Sequence, residues 1–258
     1  MDIQQRKSWK ILLIGDHCLD VYHYGVCERI SPEAPVPILK QLSTETRMGM
    51  SSNVRMNLKA FGLTVQHEHN KHVIEKHRLV DSRFNHHLLR YDVGEEHVLA
   101  EFDVSRLDKI KKVDAVVISD YNKGFLRYKT ISEICSKFKD VPIFADSKKQ
   151  KLGCFSNCII KINEKEFKSV KAMPADCEFV VTLGPKGALY KHEIFETEQT
   201  EVFDVCGAGD VFISALVFGY LNTRDMTKAI HLANKCASYS VSKMGTYVMT
   251  KEDLKNIG

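Results

Sequence analysis

The residues best suited to chemistry are Gly207, Ala208, Gly209 and Asp210, inside EVFDVCGAGDVFISALVFGYL from Glu201 to Leu221. The run reads as a short apolar piece, a glycine-rich turn, an acid and then a helix. Val211, Ile213, Ala215, Leu216, Phe218 and Tyr220 are too many for one narrow stripe and predict a largely buried helix. Glycine at a helix start lets the backbone approach a ligand closely. The unpaired N–H groups of the first turn, aided by the helix dipole, can receive a phosphate or a developing negative charge. Asp210 stands beside that anion site, where a carboxylate can take the proton of an attacking hydroxyl, as phosphoryl transfer requires. An ordinary helix with an acidic first turn is the plainer reading, and this segment alone does not choose between them.

The elements that would position these groups alternate. Lys10 to Gly15 (KILLIG) reads as a buried parallel strand, followed by Asp16 and Asp20. No GxGxxG follows, so a dinucleotide fingerprint is absent. Gly49, Ser51, Ser52 and Asn53 form a second glycine-fed corner that leads into a helix through Val54, Met56, Leu58 and Phe61. Further strands are read at 114–119, 141–145, 158–162 and 179–183, with Asp120, Asp146, Asn163 and Glu166 at or just past their ends. The last strand enters the turn Gly184–Pro185–Lys186–Gly187. A hairpin, a helix at 226–241 and a terminal helix capped by Thr250 complete the pattern. This rhythm predicts an α/β chain with a mostly parallel, doubly wound sheet and polar groups gathered at one edge.

Two stretches depart from it. RISPEAPVPILK, within 21–42, carries prolines that forbid a helix, and 79–100 reads as strands and turns; together they predict a small separate sheet. Arg83, Asn85 and Arg90 would lie on its polar face. QHEHNKHVIEKH reads as a solvated surface stretch or loop rather than a metal site. Lys148, Lys149 and Lys151 read as an ordinary solvated basic run.

Composition sets the bounds. With 258 residues and 44% hydrophobic content, one substantial core is expected. The charge of +4, from 37 basic and 33 acidic residues spread along the chain, argues against nucleic-acid binding. Eight cysteines without paired spacing point to reduced thiols and a cytoplasmic setting. No signal peptide or membrane span is expected.

GD…LD at Gly15, Asp16, Leu19 and Asp20, DVCGAGD at Asp204 to Asp210, and Asn163-x-x-Glu166 together resemble carbohydrate kinases of the ribokinase (PfkB) type, over nearly the whole chain. YGVCERISPEAPVPILK and DSRFNHHLLRYD are most similar to the branch that phosphorylates D-glycero-D-manno-heptose 7-phosphate at C1, in ADP-heptose biosynthesis. The resemblance implies a single ribokinase-like unit over 1–258: three α/β/α layers with a small β-lid at 21–42 and 79–100. It makes Asp210 the base and the amides of Cys206, Gly207, Ala208 and Gly209 the anion hole. Asp16, Asp20, Gly49 and Asn53 would hold the sugar. Arg83, with Arg47 and Arg90, is a candidate for the remote phosphate. Asn163 and Glu166 would organise Mg2+, mostly through water, and the phosphates of ATP. Gly184, Gly187, Asn234 and Gly245 would border the nucleotide. A homodimer through the lid is implied, and a monovalent cation is left open. Another sugar or a nucleoside as acceptor, or a weakly active sugar-binding relative, are the alternatives.

Two departures from the family pattern stand out. Met50 follows Gly49 where a second glycine is usual, and the region after Leu63 is compressed by a strand and a helix. The nucleotidyltransferase domain fused to some relatives is not expected in this chain.

Overall fold

Strand β1 (Lys10–Gly15) sends Ile11 and Leu13 into one apolar cluster and Leu12 and Ile14 into another. That period-2 division, with every side chain buried past Lys10, is what a strand covered on both faces requires. The computed structural model describes residues 9–97 and 99–257, so the reading of the first eight residues, and of position 98 in the second lid stretch, lies outside them.

The order continues with β2 (His17–Ile30), β3 (Pro37–Met50), α1 (Ser51–Ala60), β4 (Thr64–His69), β5 (Ile74–Asp81) and β6 (His86–Val93). Then come β7 (Ala115–Asp120), α2 (Tyr128–Lys137), β8 (Ile143–Ser147), β9 (Cys158–Asn163), α3 (Glu164–Ser169) and β10 (Glu178–Thr182). The chain closes with β11 (Ala188–Tyr190), β12 (Glu193–Phe195), α4 (Ala208–Thr223), α5 (Met226–Val241) and α6 (Lys251–Ile257).

The main sheet has eight strands in the order β12-β11-β10-β9-β8-β7-β1-β4. Its strands from β10 to β4 are parallel, and the β11–β12 hairpin extends it antiparallel. Helices α1, α4, α5 and α6 cover one face and α2 the other. This is the expected three-layer, ribokinase-like α/β/α architecture. A second sheet, β3-β2-β5-β6, takes in parts of the two irregular stretches but runs over 17–50 and 74–93, so most of β5 precedes position 79. It begins at His17, directly after β1, earlier than the sequence suggests. The prolines fall in the turn at 31–36 and at the first residue of β3, where no ladder hydrogen bond is lost.

The histidine-dense stretch corrects its sequence reading: much of it is strand. β4 pairs with β1 from Lys10↔Thr64 to Gly15↔His69, and Ile74 to His77 open β5. His67 shares a 2.9 Å hydrogen bond with Ser51, and His17 a 2.7 Å bond with Ser52. Burial holds the two imidazoles neutral, lowered to about 3 and about 4. β4 ends the sheet among the described residues, and the pairing of Glu68 with Arg106 covers part of that edge. All eight cysteines are free. No described helix is long and apolar enough to cross a membrane.

Candidate active site

Helix α4 opens at Gly207, whose φ of +78° is the left-handed conformation that favours glycine. A Cβ at Gly207 would stand 2.8 Å from Asn53 Nδ2, and one at Gly209 would stand 2.6 Å from Lys161 Nζ. Asp204 Oδ1 takes the Cys206 N–H at 2.9 Å, and Val205 O takes that of Ala208 at 3.3 Å. Gly207 and Gly209 keep N–H groups with no protein acceptor among the described residues. Two of the four amides expected to form an anion hole, those of Cys206 and Ala208, are thus engaged within the protein and shape the turn.

Asp210 is buried in the first turn of α4. Oδ2 accepts from Asn53 Nδ2 at 2.9 Å and Oδ1 from the Tyr121 hydroxyl at 2.8 Å. Burial pushes its pKa up to about 6, the Asn53 bond opposes this, and Asp146 adds to it. Such a carboxylate is ionised at neutral pH yet basic enough to accept a proton.

Asp16, at the end of β1, is fully buried. Its Oδ2 accepts from the backbone N–H groups of Tyr121 at 2.7 Å and Lys123 at 3.3 Å. Oδ1 has no partner. Burial, then Asp120, raises this group to about 6 also. A buried acceptor left open in this way is suited to a ligand hydroxyl.

Asp20, by contrast, is engaged. Arg78 Nη1 lies 2.5 Å from Oδ1, and Arg78 Nη2 donates to Cys206 Sγ at 3.4 Å. Gly49 lies against this pair: a Cβ there would meet Asp20 Oδ2 at 2.4 Å. The thioether of Met50 does not intrude on the site. Met50 keeps a glycine-like backbone at φ +53°, a strain of about 1–3 kcal/mol, and buries its side chain among Leu12, Ile14 and Cys18.

Below the α4 turn a charged layer runs through β8 and β9. Lys161 Nζ contacts Asp146 Oδ2 at 2.7 Å, both nearly inaccessible. Lys148 reaches Glu166 at 2.6 Å and Asp146 at 3.4 Å. Burial works against the Asp146 carboxylate, but Lys161 and Lys148 hold it below its ordinary range. Of the basic run, Lys148 and Lys149 are thus not the solvated loop expected, since Lys149 is also buried, 3.3 Å from Asp120, while Lys151 is exposed. Asn163 and Glu166 form a reciprocal capping box on α3: Glu166 N donates to Asn163 Oδ1 at 2.8 Å and Asn163 N to Glu166 Oε2 at 3.0 Å.

The residues expected at the nucleotide separate. Gly184 and Asn234 line one cavity of about 170 Å³ with Pro185, Val205, Ala237 and Val241. Gly187 lies behind it, packed on the Phe195 carbonyl, and Gly245 N donates to Asp204 Oδ2 at 3.0 Å. Arg83 stays at the β5–β6 turn, bound to Asp81 and the Cys27 carbonyl. That level of the sheet is five residues of β2, roughly 17 Å, from Asp20. Arg90 is paired with Asp92, and Arg47 with Glu45.

Tyr121, Lys161, Arg78 and Lys76 belong to the site and are not singled out by the sequence. Lys161 left a signal, as a lysine inside the apolar strand CIIKIN must find a buried partner. Lys76 lies opposite Asp20 on β5, with Nζ 5.7 Å from the Tyr121 ring centroid; its carbonyl accepts from Arg78, and its ammonium makes no hydrogen bond or ion pair among the described residues.

Comparisons with known proteins follow the same lines. Residues 95–253 match the model of the pfkB family carbohydrate kinases. The bifunctional protein HldE of Campylobacter jejuni is 31% identical over 306 aligned positions, covering 98% of this chain and 65% of that protein. HldE of Hydrogenovibrio crunogenus is 29% identical, covering 99% and 64%. The chain thus spans a little under two thirds of these relatives. Since the alignments exceed its 258 residues, the relatives also carry stretches that it lacks. Among solved structures, phosphofructokinase-2 of Escherichia coli in complex with potassium superposes with a TM-score of 0.73 at 14% identity, covering 96% and 98% of the two chains. Arabidopsis thaliana ribokinase complexed with ribose and ATP gives 0.68 at 13%, covering 97% and 99%. The chain belongs to the pfkB family of carbohydrate kinases.

Proposed function

We propose that this chain transfers the γ-phosphoryl group of ATP to the C1 hydroxyl of a sugar phosphate, D-glycero-D-manno-heptose 7-phosphate, to give the 1,7-bisphosphate. The observation that carries this reading is the buried Asp210 carboxylate, raised to about 6, beside the open N–H groups of Gly207 and Gly209. Asp210 accepts the proton of the attacking hydroxyl as its bond to phosphorus forms, and the Tyr121 hydroxyl yields its place on Oδ1 to the acceptor. The two amides, with the Lys161 ammonium beneath Gly209, meet the charge on the transferring phosphoryl. Asp16 Oδ1 accepts from a sugar hydroxyl, while Arg78 holds Asp20 in place and Asn53 holds Asp210. The cavity at Gly184 and Asn234 receives the adenine.

Glu166 fits magnesium: its carboxylate, joined to Asn163 in the cap of α3, already holds a cation, the Lys148 ammonium at 2.6 Å. Hydrated Mg2+ held through water by Glu166 and Asn163, in place of that ammonium, would neutralise the phosphate oxygens of ATP. No loose monovalent cation enters this reading, because the carbonyl oxygens of the loop against the anion site are engaged by Arg47.

In this reading the chain is one kinase unit and its small sheet is the lid that excludes water. Lys76, rather than Arg83, takes the remote phosphate of the acceptor. The exposed Leu42, Leu89, Tyr91 and Val93 of the small sheet meet a second copy. Light scattering at micromolar concentration checks this: the expected mass is that of a dimer, and a monomer that persists at high concentration refutes it.

The reaction is tested by ADP release with ATP and magnesium across a panel of sugars, sugar phosphates and nucleosides. Turnover is expected on the heptose 7-phosphate, with 31P NMR showing a new anomeric phosphate. Lys76→Met should raise KM for that acceptor roughly 10- to 100-fold and leave KM for ATP unchanged. Turnover only on an unphosphorylated sugar or a nucleoside would reassign the substrate, and no turnover on any acceptor would favour a sugar-binding relative.

A further inference from the structure

Arg47 takes no part in the reaction outlined above, yet its position is specific. It lies on β3 opposite Asp20. Its Nε and Nη2 form a two-pronged pair with Glu45 at 2.7 and 3.0 Å. The third nitrogen, Nη1, points into the loop after α5 and donates to the carbonyl oxygens of Met244 at 2.6 Å and Thr246 at 3.5 Å. The guanidinium also stands 5.1 Å from the centroid of the Tyr22 ring, whose hydroxyl accepts from Thr246 N at 3.2 Å.

That loop supports the anion site. Asp204 accepts from Gly245 N through one oxygen and from Cys206 N through the other, so one carboxylate ties the loop to the turn that presents Gly207. A side chain on Gly207 would touch Thr246 at 3.4 Å. Carbonyl oxygens that converge on one point from a bent loop are a cation site. A mobile alkali ion can fill such a site. A guanidinium fills it permanently, because it is tethered and stays charged at every accessible pH.

We infer that Arg47 is a built-in monovalent cation. It positions the 244–246 loop, and through Asp204 the anion turn, so that turnover needs no added alkali ion. This rests on the kinase reading for its activity test, but the structural half stands without it. An open cleft of about 490 Å³ lined by Arg47, Met244 and Thr246 gives small cations a route to the carbonyl groups once the side chain is removed.

The test uses the full chain and its Arg47→Ala and Arg47→Lys variants in choline chloride, KCl and millimolar guanidinium at matched ionic strength. Wild-type ADP release and melting temperature should be the same in all three. Arg47→Ala should lose roughly 10- to 100-fold in turnover in choline and regain part of it in KCl or guanidinium. Its melting temperature should rise with K+ while that of the wild type does not. Arg47→Lys keeps the charge and should stay indifferent to K+, which covers the case in which the alanine variant does not fold. Stimulation of the wild type by K+ overturns the inference, as does a loss in Arg47→Ala that no cation repairs, or a K+ requirement in Arg47→Lys. If the wild type acts on no acceptor, the kinase reading fails, and the melting temperatures still decide the role of Arg47.

Discussion

Replacing Asp210 by asparagine should stop phosphoryl transfer and, at neutral pH, make the protein more stable. The amide is isosteric, and its oxygen can accept from Asn53 while its NH2 donates to the Tyr121 oxygen, so neither neighbour is stranded. What is lost is the proton acceptor, and turnover should fall by about 10²–10⁴-fold. What is gained follows from the direction of the shift. The folded protein binds this proton up to about 6, the unfolded chain only to about 3.8. Below the lower value both states are protonated and the group costs nothing. As pH rises between the two, the unfolded state ionises first and stability falls. Above 6 the buried charge costs the fold roughly 3 kcal/mol, an upper bound on what asparagine returns. Thermal melts of both proteins should therefore differ by several degrees at pH 7.5 and converge toward pH 4. The kcat of the wild type should decline below about pH 6. Asp16 titrates over the same range and should steepen the acid limb of kcat/KM. A variant that melts lower than the wild type at pH 7.5, or keeps a tenth of its turnover, refutes this account.

Removing the ammonium under the anion site should be nearly as damaging, for a reason that stability alone cannot mimic. Lys161→Met leaves the buried Asp146 carboxylate with only the longer contact to Lys148. Breaking a buried pair from one side costs about 3–5 kcal/mol, because a charge is left uncompensated. The same change removes the positive group that approaches Gly209. Adding Asp146→Leu removes the stranded charge, and a buried pair replaced by apolar residues of similar size is often neutral. The double variant should therefore recover most of the lost melting temperature yet remain at least about 100-fold impaired in turnover. If activity returned along with stability, Lys161 would be structural only. If neither returned, the destabilisation would have another source.

Much of this molecule is legible in local patterns. β1, β9 and α5 follow from apolar periodicity alone, since a strand buried on both faces and a helix with one apolar side each leave a distinct spacing. The glycine turn and acid that open α4 at 207–210 are legible because backbone conformation and helix polarity are local properties. Asn163 and Glu166 are picked out by resemblance, and the capping box they form on α3 emerges with the structure. Pairing between distant segments is not local, and there the sequence misleads. QHEHNKHVIEKH looks like solvated surface until β1 on one element and Ser51 on another supply its partners. Lys148 and Lys149 look exposed until Asp146, Glu166 and Asp120 arrive from other strands. Asp20, Arg78 and Cys206 are far apart along the chain, and their union depends on how β2, β5 and the start of α4 converge. The residue types present at the site could be read from spacing. Which carboxylate is free, which is paired and which holds its proton to about 6 depended on burial and on charges from other segments, and only the tertiary structure brings those together.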